Sequence, residues 1–143
     1  MNREAIYTAL FNLAKVASGV TTASRRVRHW ADVSPIEQPA LFMVQKTESA
    51  QVVTRQPARW TFSVDLILYV NTGGHDPNIT PSSIFNPIVD AITAALAVSQ
   101  NSGEQTLGGL VERCRITGSI ETDEGALGDQ AVIIIPVEIF LPD

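Results

Sequence analysis

The sequence predicts an α+β fold: a mainly antiparallel sheet of four to five strands with two helices packed on one face, in the order α-β-β-β-α-β-β. Three observations predict it. Arg59–Asn71, RWTFSVDLILYVN, alternates apolar and polar side chains as a half-buried strand does. Leu107–Pro142 carries two more strand patterns, joined by an acidic loop that contains glycines. Two other stretches, near residues 2–18 and 86–99, repeat their apolar side chains at helical spacing instead. A chain of 143 residues suits a single domain spanning 1–143, and 45% hydrophobic residues supply its core.

The first helix is read from Asn2 to about Ser18. Ile6, Leu10, Leu13 and Ala17 form one stripe, Asn2 can cap the free N–H groups, Glu4 suits the first turn, and Gly19 is placed to end the helix. Tyr7 and Phe11 lie beside that stripe and either widen the core face or touch another subunit. Thr21–Asp32 is a short polar strand or extended arm holding the basic cluster Arg25, Arg26 and Arg28. Those charges either solvate an edge strand or meet an acidic partner. Val33–Pro39 is a loop with two prolines, Ala40–Glu48 a strand, and Ser49–Pro57 a long hairpin loop without a clear period.

Within Arg59–Asn71, Trp60, Phe62, Val64, Leu66, Leu68 and Val70 form the core face. Thr61, Ser63, Asp65, Ile67 and Tyr69 form the other, which turns apolar at its end. Asn71–Thr80 is a turn-rich loop. Asn86-Pro87 reads as a helix start, with Ile88, Val89, Ile92 and Leu96 as the buried stripe. Leu110, Cys114, Ile116 and Ile120 share the apolar face of the next strand, with Val111, Arg113, Arg115, Thr117 and Ser119 opposite. In the last strand, Ala131–Leu141, Ile133, Ile135, Val137, Ile139 and Leu141 share one face. Val132, Ile134, Pro136, Glu138 and Phe140 share the other. A strand apolar on both faces calls for cover on both, one side from a helix and the other from a neighbouring subunit.

Charged residues make up only 17%, below the usual ~25% of soluble proteins, which is consistent with surface hidden in an assembly. A net charge of −5 argues against binding driven by phosphate neutralisation. The single cysteine, Cys114, excludes an intrachain disulfide and a cysteine zinc site, and a reducing compartment is the default expectation. The opening residues do not read as a signal peptide, and no apolar run is long enough to span a membrane. His75-Asp76 reads as a solvated turn rather than half of an acid–base pair. Asp123-Glu124-Gly125 lacks the further ligands of a calcium loop. Cys114 reads as an inert core residue, and the glycines match no nucleotide-binding loop. No enzymatic activity, cofactor or metal is expected.

Several segments together resemble the tail terminator proteins of long-tailed bacteriophages, the group that includes minor tail protein U. They are the opening helix, SRRVRHWADVSPIEQPALFMVQKTE, RWTFSVDLILYV, NPIVDAITAAL and, most of all, LGGLVERCRITGSIETDEGALGDQAVIIIPVEIFLP. The resemblance covers most of the chain and is one of pattern, not of a catalytic signature. It implies an α/β sandwich and a homo-oligomeric ring, usually of six copies, at the head-proximal end of the virion tail. Such a ring caps the tail tube, ends its polymerisation and offers a joining surface to the head connector. Implied partners are the tail tube protein and the connector or neck protein. DNA passes through the lumen without specific binding, and no membrane is involved. The protein would be assembled in the host cytoplasm.

A head–tail connector or head-completion subunit is the nearest alternative, and a small-molecule-binding or enzymatic domain a more distant one. The candidate interface residues are Arg25, Arg26, Arg28, Tyr7, Phe11, Ile67, Tyr69, Val132, Ile134 and Phe140, with the Ser49–Pro57 loop. On this reading, alanine at Arg25, Arg26 and Arg28 together impairs assembly and spares the fold.

Overall fold

Isoleucine, valine and aromatic residues fill the two longest strands, and their pairing forms the centre of the sheet. The computed structural model describes residues 1–73, 76–97, 103–125 and 128–142. Its elements are α1 (Arg3–Ala14), β1 (Thr22–Ser24), β2 (Ala40–Gln51), β3 (Arg59–Asn71), α2 (Pro81–Ala95), β4 (Arg113–Ile116), β5 (Glu121–Asp123) and β6 (Gln130–Pro142). β3 and β6 pair antiparallel without interruption from Arg59↔Pro142 to Asn71↔Gln130. Around them the strand order is β1-β2-β3-β6-β4, with β5 also on β6. β1 runs parallel to β2, and every other pairing is antiparallel.

The fold is therefore α+β, with six strands where four to five were expected. The extra strand is β5, set apart from β4 at Pro136. The stretch expected to be one strand from Leu110 to Ile120 shrinks to β4, which pairs with Val137–Phe140, and β5, which pairs with Val132–Ile134, forms beyond it in the expected acidic loop. Proline has no N–H to offer a neighbouring strand. Opposite Pro136 the edge chain bulges through Thr117–Ile120, held by the Thr117 N–H donating to the Pro136 carbonyl at 3.1 Å. Gly118 makes the bend at φ +105, and a Cβ there would lie 3.5 Å from the proline ring. The alternation read across this stretch fails at both ends. Leu110 and Ile120 are exposed at 45% and 39%, while Val111 is buried. Residues 106–111 form turns, with positive φ at Leu107, Gly108 and Gly109, so strand periodicity does not reach them.

One face of the sheet carries the core. Leu41, Phe62, Leu66, Ile133, Ile135 and Ile139 are fully buried there, beneath both helices. On α1 the Asn2 side chain accepts the Ala5 N–H at 3.1 Å, as the sequence predicts. The helix ends at Ala14, however, short of Ser18. Its buried stripe is Ile6, Tyr7, Leu10 and Ala14, rotated toward Tyr7, whose ring stacks on Phe62 with centroids 5.5 Å apart.

On α2 the helix begins one and a half turns early, with Thr80 at the cap and Pro81 at the first position, so Pro87 lies inside. Burial explains the shift: Phe85 joins Ile88, Ile92 and Leu96 in the core. That burial offsets the hydrogen bond Pro87 cannot make, since burying one large apolar side chain is worth about 1.5–3 kcal/mol. Val89, expected in the stripe, is only half-buried. α2 ends at Ala95, and Ser99, where the sequence reading ends the helix, lies outside the described residues.

β2 reaches Gln51, past the Glu48 limit, and pairs with β3 to the end, so the hairpin loop shrinks to 52–58. From Gln45 onward β2 is exposed, which removes the alternation that would have marked it as a strand.

Adjacent residues of β6 should report the two faces separately. Ile135→Ala should cost about 2–5 kcal/mol in urea unfolding, because its cavity would open beneath the helices. Ile134→Ala, on the half-open face, should cost no more than about half of that.

Candidate partner interface

Among the described residues no α-helix packs on the second face of the sheet. Across β2, β3, β6 and the edge strands, its side chains run in rows set by the register: Thr61 beside Phe140 and Arg113, then Ser63 beside Glu138 and Arg115, Asp65 beside Pro136, Ile67 beside Ile134 and Glu121, and Tyr69 beside Val132 and Asp123. It is polar toward Arg59 and apolar toward Asn71. This is the face that the sequence assigns to a neighbour.

Part of that face is covered by the chain itself. The crossover from β1 to β2, residues 25–39, folds back over the apolar end. Trp30 and Val33 pack there against Phe42, Tyr69, Ile67 and Val132. Local sequence explains its shape. At Ser34-Pro35-Ile36-Glu37 the Glu37 carboxylate accepts the Ser34 N–H at 3.0 Å and the Ser34 hydroxyl at 3.2 Å, closing a capped 3-10 turn with proline at its start.

Two buried glutamines, which the sequence reading did not single out, hold this arm to β6. Gln38 Nε2 donates to the Val33 carbonyl at 3.1 Å and to Gln130 Oε1 at 2.8 Å, and Gln130 Nε2 donates to the Trp30 carbonyl at 3.3 Å. The partners are 92 residues apart in the chain, so no local signal announces the contact.

The three arginines of the cluster have different roles. Arg25 donates to Glu4 of α1 and, at 3.2 Å, to Gln45. Arg28 pairs with Glu37 at 3.1 Å and lies over the Phe42 ring, while its carbonyl accepts the Tyr69 hydroxyl at 2.9 Å. Arg26 is exposed and forms no ion pair among the described residues. The triple alanine substitution would therefore release the contacts of Arg25 and Arg28 that hold the arm as well as strip charge. Arg26 alone is free for a partner.

The remaining candidates divide similarly. Tyr7 is not a partner contact: it is 1% exposed, and its hydroxyl donates to Glu48 at 2.8 Å. Burial and the Glu48 carboxylate push the phenol pKa well up. Glu48 also accepts from Arg3 at 2.7 Å. Burial alone would raise its pKa, but the hydrogen bonds from Arg3 and Tyr7 outweigh that and hold it below the ordinary value. Phe11 is half-buried, with the Lys15 ammonium 5.6 Å from its ring. Tyr69 is 6% exposed, its pKa raised by burial, and Ile67 is half-covered by the arm. Phe140 lies under the Arg113 guanidinium at 4.5 Å. Val132 and Ile134 remain half-open. With Trp30 and Tyr69 they floor a depression of about 330 Å³ rimmed by Glu121 and Asp123.

Cys114 is 1% exposed, and burial pushes its thiol up to about 12, so it holds its proton at neutral pH. Among the described residues no group of three or more His, Cys, Asp or Glu is placed to hold a metal ion. His75 of the His75-Asp76 pair lies outside the described residues. Among the described residues no helix is long and apolar enough to cross a membrane. No known protein-family profile matches the chain, and no characterised protein is similar to it in sequence.

The arm should respond to acid. The hydrogen bond from Arg25 holds Glu4 below its ordinary 4.5, and those from the Ser34 N–H and Arg28 hold Glu37 below it. Groups with depressed folded-state pKa values stabilise above the ordinary value and cease to do so as pH falls through the folded one. Both carboxylates are solvent-exposed, so the effect is local and modest. The Trp30 indole resonance should stay constant above about pH 5 and move toward an exposed position below about pH 4. A Trp30 signal unchanged down to acid unfolding would show that the carboxylates do not hold the arm.

Proposed function

We propose that the protein is a structural virion component, a tail terminator whose copies close into a ring on the head-proximal end of a bacteriophage tail tube. In this role it ends tube polymerisation and presents the joining surface to the head connector. The observation that carries this reading is a pair of dissimilar surfaces on one subunit. One is a sheet face that its helices leave open, and the other is a hairpin projecting from the opposite end. Ring closure uses such heterologous pairs, one patch of each copy fitting a different patch of the next. The resemblance of the chain to tail terminators supports the reading, as do its low charge content and its α+β sandwich. A net charge of −5 suits a lumen through which DNA slides without being gripped.

Isolated tail tubes imaged with the purified protein test it. Rings seated at one end of each tube are the expected result. Decoration along the tube, or no binding, would refute the role. Arg26→Ala should weaken tube capping without lowering the melting temperature. Arg28→Ala should lower the melting temperature, because it releases Glu37 and uncovers Phe42.

A further inference from the structure

The hairpin between β2 and β3 carries charge of one sign. From Ser49 to Val64 the chain has two arginines, Arg55 and Arg59, and no acidic residue. Its tip is a formed turn, with the Gln56 N–H donating to the Val53 carbonyl at 3.0 Å and Arg55 at φ +65. Val52 and Val53 project from it, exposed at 76% and 41%. The other end of the sheet has the opposite charge. From Ile116 to Val137 the chain contains Glu121, Asp123, Glu124 and Asp129 and no basic residue. There the acidic rim surrounds the apolar floor of Trp30, Tyr69, Val132 and Ile134, with Ile120 exposed beside it at 39%.

Four of these charges, Arg55, Arg59, Glu121 and Glu124, take part in no ion pair among the described residues. The ion pairs among the described residues use Arg3, Arg25, Arg28 and Lys46 with Glu48, Glu4, Glu37 and Asp65. The tip cannot reach the groove of its own subunit. β3 runs from one to the other through 13 residues, a separation of roughly 40 Å.

We infer that the β2–β3 hairpin of one copy docks in the acid-rimmed groove of a second copy. Val52 and Val53 settle on the apolar floor, and Arg55 and Arg59 meet Glu121 at the rim and Glu124 just beyond the end of β5. The occupant is another copy of this chain, because the tip supplies both features the groove lacks: a pair of unburied aliphatic side chains and cationic charge. Donor and acceptor surfaces lie at opposite ends of the sheet, so the contact is head-to-tail and repeats from copy to copy. It deepens the ring reading above and rests on that reading for the closure of the repeat into a circle.

Two charge-reversed proteins test the contact, R55E/R59E at the tip and E121R/E124R at the groove. All four positions are outside the core, and circular dichroism would confirm that each variant folds. Sedimentation should show self-association of the wild-type chain, weakened by about tenfold or more in either variant alone. Mixed in equal amounts, the variants should regain association, since the intact tip meets the intact groove and the reversed tip meets the reversed groove, each pair with opposite charges. A wild-type chain that stays monomeric across the concentration series would overturn the inference, and so would a tip variant that associates like the wild type or a mixture that does not regain association. Imaging with tail tubes separates the two readings. Tip variants that still form capping rings would sink this contact and leave the ring reading standing. Head-to-tail association without tube capping would do the reverse.

Discussion

β6 sets the terms for the rest of the molecule. Ile133, Ile135, Val137, Ile139 and Leu141 point to one side, and Val132, Ile134, Pro136 and Phe140 to the other, so the strand cannot be satisfied by one layer. Its unbroken pairing with β3 aligns the two apolar sides into two faces. The helices, with Leu107 and Val111, cover the first face along β3 and β6. The second is covered only at one end, by an arm whose aromatic contact is Trp30 and whose polar lock is Gln38 with Gln130. Everything proposed about partners follows from that unequal cover.

The two covers are built from different materials. The helical layer buries large apolar side chains, each worth about 1.5–3 kcal/mol. The arm relies on a small apolar cluster, a glutamine pair and ion pairs that water screens. A layer so constructed can shift while the sheet beneath it stays folded. It lies beside the groove proposed for the neighbouring copy, with Trp30 belonging to both.

The fold was legible where periodicity carries the information. β3, β6 and the Ile6 and Leu10 part of the α1 stripe could be read because burial on one side imposes a period of 2 or 3.6 on the residues. The end of β2 beyond Glu48 was not, because residues exposed on both faces have no period to show. α2 misled for a different reason. Asn86-Pro87 is a sound local start signal, but the sheet rewards burial of Phe85, and packing outweighs a cap. The break between β4 and β5 was missed because Pro136, which lies opposite it, is across the sheet on β6.

The candidate interface was legible as a face but not residue by residue. The alternation in β6 revealed a second apolar side, and Val132 and Ile134 do lie on it. Tyr7 looked like a second stripe and is instead in the core, since stacking on Phe62 and a hydrogen bond to Glu48 serve both ends of its side chain. Arg25 and Arg28 looked like a free basic patch because the acids that hold them, Glu4 and Glu37, are brought in by the fold of the arm. The segregation of Arg55 and Arg59 from Glu121 and Glu124 was visible in the sequence, but its meaning depends on the length of β3 that keeps them apart.

Native-state hydrogen exchange tests the unequal cover most directly. The account predicts that the amides of β3 and β6 exchange only through global unfolding. Those of residues 25–39 and of β5 should exchange faster, through local opening that leaves the sheet intact. Arm amides as slow as those of β3 and β6 would contradict it, since the second face would then be sealed by the chain itself as firmly as the first.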